Sequence, residues 1–233
     1  WDLQSVTAAT GGTIIRTGGT SYFGNVSTDT RAISSGDIFV ALEGEVYDGH
    51  DFLDKAVASG AGCLVVSDAD RAAEAEVCCV QVDDTLAALG NLAHYRLELV
   101  RKMSQPVVIG LTGSCGKTTV KDMAVAIFDS RWPNRSDRPA DRVLKTVGNF
   151  NNLVGLPLSL LPVSVYHRVL VLEMGMNSPG EIARLARIGD PDICCITNVQ
   201  QAHLEGLGSL EGVAAAKGEL FEQSRPDSVH VVN

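Results

Sequence analysis

A glycine-rich loop that joins an apolar segment to a helical pattern constrains this chain more than any other feature. The segment reads PVVIGLTGSCGKTTVKDMAVAIF over residues 106–128. A strand that runs through such a loop into a helix directs backbone N–H groups and the helix N-terminus at an anion. The apolar residues that recur with helical period, and so predict the buried face of that helix, are Val120, Met123, Ala124, Ile127 and Phe128.

The loop predicts a site for a nucleoside triphosphate. Lys117 is placed to reach the β- and γ-phosphates, and Thr118 to offer its hydroxyl to Mg²⁺. The strict phosphate-loop pattern requires glycine at the position of Leu111, so this loop is a variant, and the alternative is a glycine-rich turn with a surface lysine. The strand before the loop and the helix after it favour the nucleotide site. Its predicted contacts are Gly113, Ser114, Cys115, Gly116, Lys117, Thr118 and Thr119.

Apolar strand patterns alternate with helical patterns along the whole chain, which is typical of parallel α/β architecture. The predicted strands are 37–42, 63–66, 77–82, 106–112, 169–175 and 192–198, and the predicted helices lie near 51–60, 85–101, 119–130, 179–188 and 210–222. Thr85 is the predicted N-cap of the second helix. The polar stretch closed by Pro106 predicts a boundary near residue 104. We therefore predict a small α/β domain over 1–104 and a parallel-sheet domain over 105–233, which we expect to be incomplete because VHVVN resembles the start of a further strand.

The overall charge and composition narrow the classes of function. A formal net charge of -9 disfavours broad binding to nucleic acid. No apolar run approaches the ~20 residues of a membrane-spanning helix, so none is predicted. The six cysteines are Cys63, Cys78, Cys79, Cys115, Cys194 and Cys195. Most lie in Val/Ile-rich stretches, which favours packing roles in a reducing cytoplasm over a metal site or disulfides.

Three titratable residues stand out behind the loop. Glu173 lies near the carboxyl end of a predicted strand, where its carboxylate suits phosphate-bound Mg²⁺; the alternative is a cap for the following loop. Lys217 shares a helix face with apolar residues, so it either extends its ammonium to solvent or carries a neutral amine that is modified or paired beside a metal. His203 could join such a site through a neutral ring nitrogen, or be structural.

Taken together, four segments resemble the Mur ligase family, which builds the peptide of peptidoglycan. They are TGSCGKTT (112–119), GNFNNLVGLPLSLL (148–161), LEMGMNSPGEI (172–182) and TNVQQAHLEGLGSLEGVAAAKGELF (197–221). Near the start, STDTRAISSGDIFVALEGEVYDGHDF (27–52) resembles the family's uridine-nucleotide domain. Within the family, the GNFNN and HLEGLGSLEG runs favour the member that joins D-alanyl-D-alanine to a UDP-N-acetylmuramoyl-tripeptide.

The resemblance implies a reaction in which ATP phosphorylates the terminal carboxylate of the tripeptide, and the dipeptide amine then displaces the phosphate. The catalytic residues that it implies are Lys117, Asn152, His203 and Lys217. The magnesium ligands that it implies, for two ions, are Thr118, Glu173, His203 and Lys217, the last as a carbamate. The residues that it implies at the UDP-sugar end are Ser27, Thr30, Arg31, Asp48 and His50.

The resemblance also implies a third domain, to which nothing in this sequence corresponds. We therefore expect weak nucleotide binding and no ligase activity from this chain alone, and a cytoplasmic monomer. Two other functions remain open. One is another ligase of the superfamily, such as the tripeptide-forming muramoyl ligase or a folylpolyglutamate or cyanophycin synthetase-like protein. The other is a nucleotide-binding module without catalysis.

Overall fold

The structure, a computed structural model, describes residues 1–44, 46–132, 142–200 and 209–233. The chain divides into two compact units, Trp1–Tyr95 and Arg96–Asn233. The division falls inside the helix Thr85–Ser104, whereas the sequence placed the boundary at the end of that helix, near residue 104.

The unit Trp1–Tyr95 is built on a five-stranded sheet. Its strands are β1 Thr13–Arg16, β2 Val26–Ser27, β3 Ile38–Val40, β4 Cys63–Val66 and β5 Cys78–Gln81. Their order across the sheet is β1-β5-β4-β3-β2. Neighbours from β2 to β5 are parallel, while β1 pairs antiparallel with β5. The sequence predicted β3, β4 and β5 but not β1 and β2, because those two are short and contain no continuous buried apolar run.

Helices cover this sheet and complete the first core. They are α1 Leu3–Thr10, α2 Leu53–Ala58 and the first half of α3 Thr85–Ser104. The buried cluster between sheet and helices is Phe39, Ala41, Leu53, Ala56, Ala61, Leu64, Val66, Ala72 and Cys79. The predicted N-cap Thr85 is wrong. Asp84 Oδ1 instead accepts from the backbone N–H groups of Leu86 at 2.8 Å and Ala87 at 3.0 Å, because a carboxylate one residue earlier satisfies two free helical donors.

The unit Arg96–Asn233 is built on an all-parallel five-stranded sheet. Its strands are β6 Val107–Thr112, β7 Val143–Lys145, β8 Val169–Glu173, β9 Ile193–Ile196 and β10 Val229–Val232. Their order is β10-β9-β6-β8-β7, with every neighbouring pair parallel. The central strand β6 has β8 on one side and β9 on the other. The chain leaves β6 toward β7 on one side and leaves β9 toward β10 on the other, so the carboxyl ends of β6 and β9 mark the switch point at which open α/β sheets bind ligands.

The described residues of this unit form four further helices. They are α4 Lys117–Arg131, α5 Gly155–Leu160, α6 Glu181–Gly189 and α7 Leu210–Glu222. Helix α7 has the predicted bounds, and Ser209 caps its start, since Ser209 Oγ accepts from the N–H of Gly212 at 3.1 Å. The start of α6 is capped from α7, because the Glu219 carboxylate accepts from the N–H groups of Gly180 at 2.7 Å and Ala183 at 3.0 Å.

The buried face of α4 agrees in part with the predicted one, since Val120 and Phe128 pack against the core of this unit. Met123 and Ile127 are 62% and 65% exposed, whereas Lys121 and Val125 are buried. The buried face is therefore shifted toward Lys121, whose Nζ lies 3.8 Å from the buried carboxylate of Glu173. The six cysteines form no disulfide; Cys115 is exposed, Cys195 is half-buried and the other four are buried.

Candidate nucleotide site at the carboxyl edge of the central sheet

The loop between β6 and α4 depends on two glycines for different reasons. Gly113 has φ +154°, and a Cβ there would lie 1.9 Å from Thr197 Oγ1. The close approach of Thr197, which directly follows β9, therefore excludes a side chain. Gly116 has φ +79°, and no described residue lies within 4 Å of the position a Cβ would take, so among these residues only the left-handed backbone favours glycine. Both conditions fit the loop geometry that the sequence predicted.

The segment after β9 holds the loop from behind. Asn198 accepts from the N–H of Ser114 through its backbone oxygen at 3.2 Å, and from the N–H of Cys115 through Oδ1 at 3.0 Å. Thr197 Oγ1 and Asn198 Nδ2 donate to the Cys115 carbonyl at 2.8 and 3.0 Å. Ser114 Oγ donates to the Gln200 carbonyl at 3.0 Å and accepts from its N–H at 2.9 Å. The sequence missed these supports because they join segments far apart in the chain.

Lys117 begins α4, and its ammonium folds back over the loop. Its Nζ donates to the carbonyl oxygen of Gly113 at 2.7 Å. A lysine at this position, beside the N–H groups of the first helical turn, presents positive charge and donors to an anion at one point.

Thr118 and Glu173 meet at the end of β8. Thr118 Oγ1 donates to Glu173 Oε2 at 3.0 Å, and Asn151 Nδ2 donates to Glu173 Oε1 at 2.9 Å. Glu173 is 2% exposed, so its carboxylate is held away from bulk water. The sequence predicted Thr118 and Glu173 together and missed Asn151, which is one residue before the predicted Asn152.

The paired oxygens fit a magnesium ion. Both are hard oxygen donors, and their 3.0 Å separation matches adjacent ligands in an octahedron with metal–oxygen distances of about 2.1 Å, which lie roughly 3.0 Å apart. Thr112 Oγ1, at the end of β6, is buried without a hydrogen-bond partner in the described part of the chain. Nowhere in that part, this site included, do three or more His, Cys, Asp or Glu side chains come together as a metal cluster.

Lys217 is buried on α7, as its helix face predicted, with 2% of its surface exposed. Burial, and secondly the positive charge of Lys117, lower the pKa of Lys217 to about 8. The predicted partner His203 lies outside the described residues, so its place in the site stays a prediction.

Asn152 serves a local structural role beside a cleft. Its Oδ1 accepts from the N–H groups of Gly155 at 2.7 Å and Val154 at 3.2 Å, which satisfies donors at the start of α5. The cleft encloses about 270 Å³ and is lined by Asn149, Phe150, Asn152, Val154, Gly155 and Leu158. The predicted contact of Asn152 with an acyl phosphate stays a prediction.

Two predicted substrate regions lie in the first unit. Ser27 and Thr30 are buried at the end of β2, where Ser27 Oγ donates to the Asp29 carbonyl at 3.0 Å. Arg31 is exposed and forms an ion pair with Asp29 at 2.7 Å, and this contact holds the pKa of that carboxyl at about 2. The guanidinium of Arg31 is therefore accessible to a ligand.

Asp48 and His50 form an internal network. Asp48 Oδ1 accepts from the backbone N–H of His50 at 2.9 Å and contacts its Nδ1 at 2.7 Å. Nε2 of His50 accepts from the N–H of Ser67 at 3.0 Å, which assigns the ring proton to Nδ1. The N–H of His50 contributes most to lowering the pKa of Asp48 to about 2, with further contributions from the ring and from Arg71. This network fixes the turn that precedes α2.

None of the helices in the described ranges is long and apolar enough to cross a membrane.

Comparisons with known proteins agree with this geometry. Residues 111–233 match the Mur ligase middle domain, and residues 23–96 match the Mur ligase family, catalytic domain. The chain is 41% identical over 208 residues to UDP-N-acetylmuramoyl-tripeptide–D-alanyl-D-alanine ligase of Escherichia coli, a match that covers 89% of this chain and 42% of the relative. The enzyme of the same name from Bacillus subtilis is 40% identical over 205 residues, covering 88% and 42%.

Solved structures give the same relationship. A crystal structure of MurF from Acinetobacter baumannii superposes with a TM-score of 0.86 at 35% identity, covering 100% of this chain and 48% of that one. The structure of the MurF ligase from Thermotoga maritima in complex with ADP superposes with a TM-score of 0.74 at 33% identity. This match covers 89% of the present chain and 45% of the other. The chain thus spans less than half the length of these relatives.

Proposed function

Because this chain belongs to the Mur ligase family, we propose that it carries the nucleotide-binding part of an ATP-dependent ligase that joins D-alanyl-D-alanine to a UDP-N-acetylmuramoyl-tripeptide. The main support is the contact of Thr118 Oγ1 with Glu173 Oε2 at 3.0 Å, directly below the glycine loop. A hydroxyl and a buried carboxylate at this place are the groups that bind phosphate-bound Mg²⁺ in phosphate-loop proteins. The two substrates in the proposal are taken from the names of the relatives.

In the proposed reaction, a carboxylate oxygen of the tripeptide attacks the γ-phosphorus of ATP, and ADP leaves. The dipeptide amine then attacks the acyl carbon, loses a proton, and phosphate departs from the tetrahedral intermediate. The loop N–H groups and Lys117 bind and orient the phosphates while charge moves between them. Magnesium held by Thr118 and Glu173 would supply neutralisation of phosphate charge.

We propose that Lys217, once modified, provides further ligands for magnesium. Its lowered pKa leaves more of the amine neutral near physiological pH, and a neutral amine can bond to the carbon of carbon dioxide and release a proton. The resulting carbamate is an oxygen-donor anion. Labelling with ¹³C-bicarbonate tests this step: a carbamate carbon resonance that is absent in Lys217→Met is expected, and the same resonance in both proteins would remove Lys217 from the proposal.

The unit Trp1–Tyr95 is proposed to bind the uridine nucleotide. Arg31 has an exposed guanidinium for a phosphate, and the buried hydroxyls of Ser27 and Thr30 lie four residues or fewer away in the chain. Asp48 and His50 are proposed to hold the neighbouring turn in shape. We further propose a monomer located in the cytoplasm, where ATP and nucleotide-linked precursors are present and where unpaired cysteines remain reduced.

A phosphate-release assay on the complete gene product tests the proposal. ATP, Mg²⁺, the UDP-muramoyl-tripeptide and D-alanyl-D-alanine are supplied together and then omitted one at a time. We expect release only with all four, a loss of about 100-fold in Thr118→Val, and most of the activity in Thr118→Ser, which keeps the hydroxyl. Release that is indifferent to the dipeptide would assign the chain to another ligase of the superfamily, and no release would favour a binding module.

A further inference from the structure

Lys121 is a buried cation that the proposed reaction does not use. It lies one turn after Lys117 on α4 and is 3% exposed. Its Nζ donates to the carbonyl oxygen of Thr146 at 3.2 Å and lies 3.8 Å from Glu173 Oε2. It also lies 3.8 Å from Asp122, whose side chain is 59% exposed, so water screens that contact far more than the one with Glu173.

Lys121, Thr146 and Glu173 form a closed ring of contacts. Thr146 is fully buried, and its Oγ1 accepts from the N–H of Glu173 at 2.9 Å. Lys121 therefore supports Glu173 in two ways. It holds the carbonyl of the residue that fixes the backbone of Glu173, and it places a positive charge beside the carboxylate itself.

The second effect changes what the pocket can bind. A buried carboxylate alone would attract a divalent cation, whereas a carboxylate beside a buried ammonium presents no net charge. The negative charge needed to retain Mg²⁺ must then come from the phosphates of the nucleotide. We propose that Lys121 is a positioning residue whose ammonium offsets the negative charge of the Glu173 carboxylate in the free protein. The metal then binds together with the nucleotide and not before it. This inference rests on the proposed nucleotide function.

Binding of Mn²⁺, measured by the loss of the free-ion signal in electron paramagnetic resonance, tests the inference without any turnover. The wild type is compared with Lys121→Gln, which keeps an N–H donor for Thr146 and removes the charge. The matched control is Lys145→Gln, because Lys145 is exposed at the end of β7 and the substitution removes the same charge from the surface. Without nucleotide, we expect Lys121→Gln to bind Mn²⁺ about tenfold more tightly than the wild type or the control.

Two results overturn the inference: Mn²⁺ affinity in Lys121→Gln no higher than in the wild type, or equal tightening in Lys145→Gln. Addition of ADP separates this inference from the function on which it rests. If the protein with ADP binds no more Mn²⁺ than the same ADP binds without protein, the proposed nucleotide function fails, whereas the nucleotide-free comparison alone decides the charge effect at Glu173.

A double-mutant cycle gives a second readout from folding. Lys121→Met leaves the buried carboxylate without its cation, and Glu173→Gln leaves the cation without its carboxylate. In the double variant both charges are gone, so its loss of thermal stability should be smaller than the sum of the two single losses. Additive losses would show that Lys121 stabilises the protein independently of Glu173, and would overturn the inference.

Discussion

Replacing Gly113 with alanine should damage the phosphate loop far more than the same change at Gly116. At Gly113 the new Cβ would clash with Thr197 Oγ1, which lies 1.9 Å from its position. The backbone there also has φ +154°, a conformation that favours glycine. The conformational strain contributes about 1–3 kcal/mol and the overpacking about 1–3 kcal/mol more. At Gly116 no described residue lies within 4 Å of where the new Cβ would be, so the left-handed backbone at φ +79° is the contribution that these residues give, about 1–2 kcal/mol.

Urea unfolding followed by tryptophan fluorescence measures the difference in stability between the two glycine variants. The signal must come from Arg96–Asn233, the unit that contains the loop. The chain has two tryptophans, and Trp132 stacks on Phe128 at the end of α4. In a Trp1→Phe background, Trp132 alone reports the unfolding of the unit that contains the loop. We expect Gly113→Ala to unfold at a lower urea concentration than Gly116→Ala and to bind MgADP more weakly.

The neighbour of Gly113 supplies the control. Thr197→Ala removes the clashing Oγ1 and should restore part of the stability of Gly113→Ala, although it also removes the 2.8 Å bond to the Cys115 carbonyl, worth about 1 kcal/mol. Thr197→Val removes the same hydrogen bond but keeps the bulk, so it should restore nothing. Equal stability of the two glycine variants, or equal rescue by alanine and valine, would refute the steric reasoning.

Three further predictions concern the same unit. Cys115 is the exposed cysteine, so iodoacetamide should modify it first, and MgADP should slow the modification about tenfold by peptide mass spectrometry; an unchanged rate would place the nucleotide elsewhere. The pKa of Lys217 is lowered from 10.5 to about 8, so the unfolded chain binds more protons between these values and stability should rise with pH across that window. Lys217→Met in bicarbonate-free buffer should be more stable at pH 7 by about 3 kcal/mol and lose this advantage by about pH 10.5, whereas a pH-independent difference would contradict the assignment. Glu219→Ala removes the cap of α6 and should lower the free energy of unfolding by about 1–2 kcal/mol, while the exposed Glu222→Ala on the same helix changes it little; equal effects would deny the cap.

Local sequence was sufficient where one segment determines its own structure. The strand, loop and helix around Gly113 and Gly116 follow from apolar runs and glycine placement, and the structure contains them. Helix α7 follows equally from its cap Ser209 and its apolar period. The same period placed Lys217 on a buried face, as observed.

Sequence was insufficient where a residue is defined by a distant partner. Lys121 resembles a surface charge until Glu173 is placed beneath it, and the apolar Met123 and Ile127 then face outward. Asn151 and Asn152 are indistinguishable by type, and only the fold directs the first to Glu173 and the second to the start of α5. The short edge strands β1 and β7 are formed by pairing with neighbours, so their own residues carry little signal.

Calorimetric titration of this chain with ADP, in the presence and absence of Mg²⁺, tests the account most directly. If Thr118 and Glu173 bind the metal beside the phosphates, Mg²⁺ should tighten ADP binding about tenfold or more. Thr118→Val should abolish that gain while leaving the metal-free affinity in place, and Thr118→Ser should retain it. ADP affinity that is the same with and without Mg²⁺, or a gain that survives in Thr118→Val, would contradict the assignment of this site.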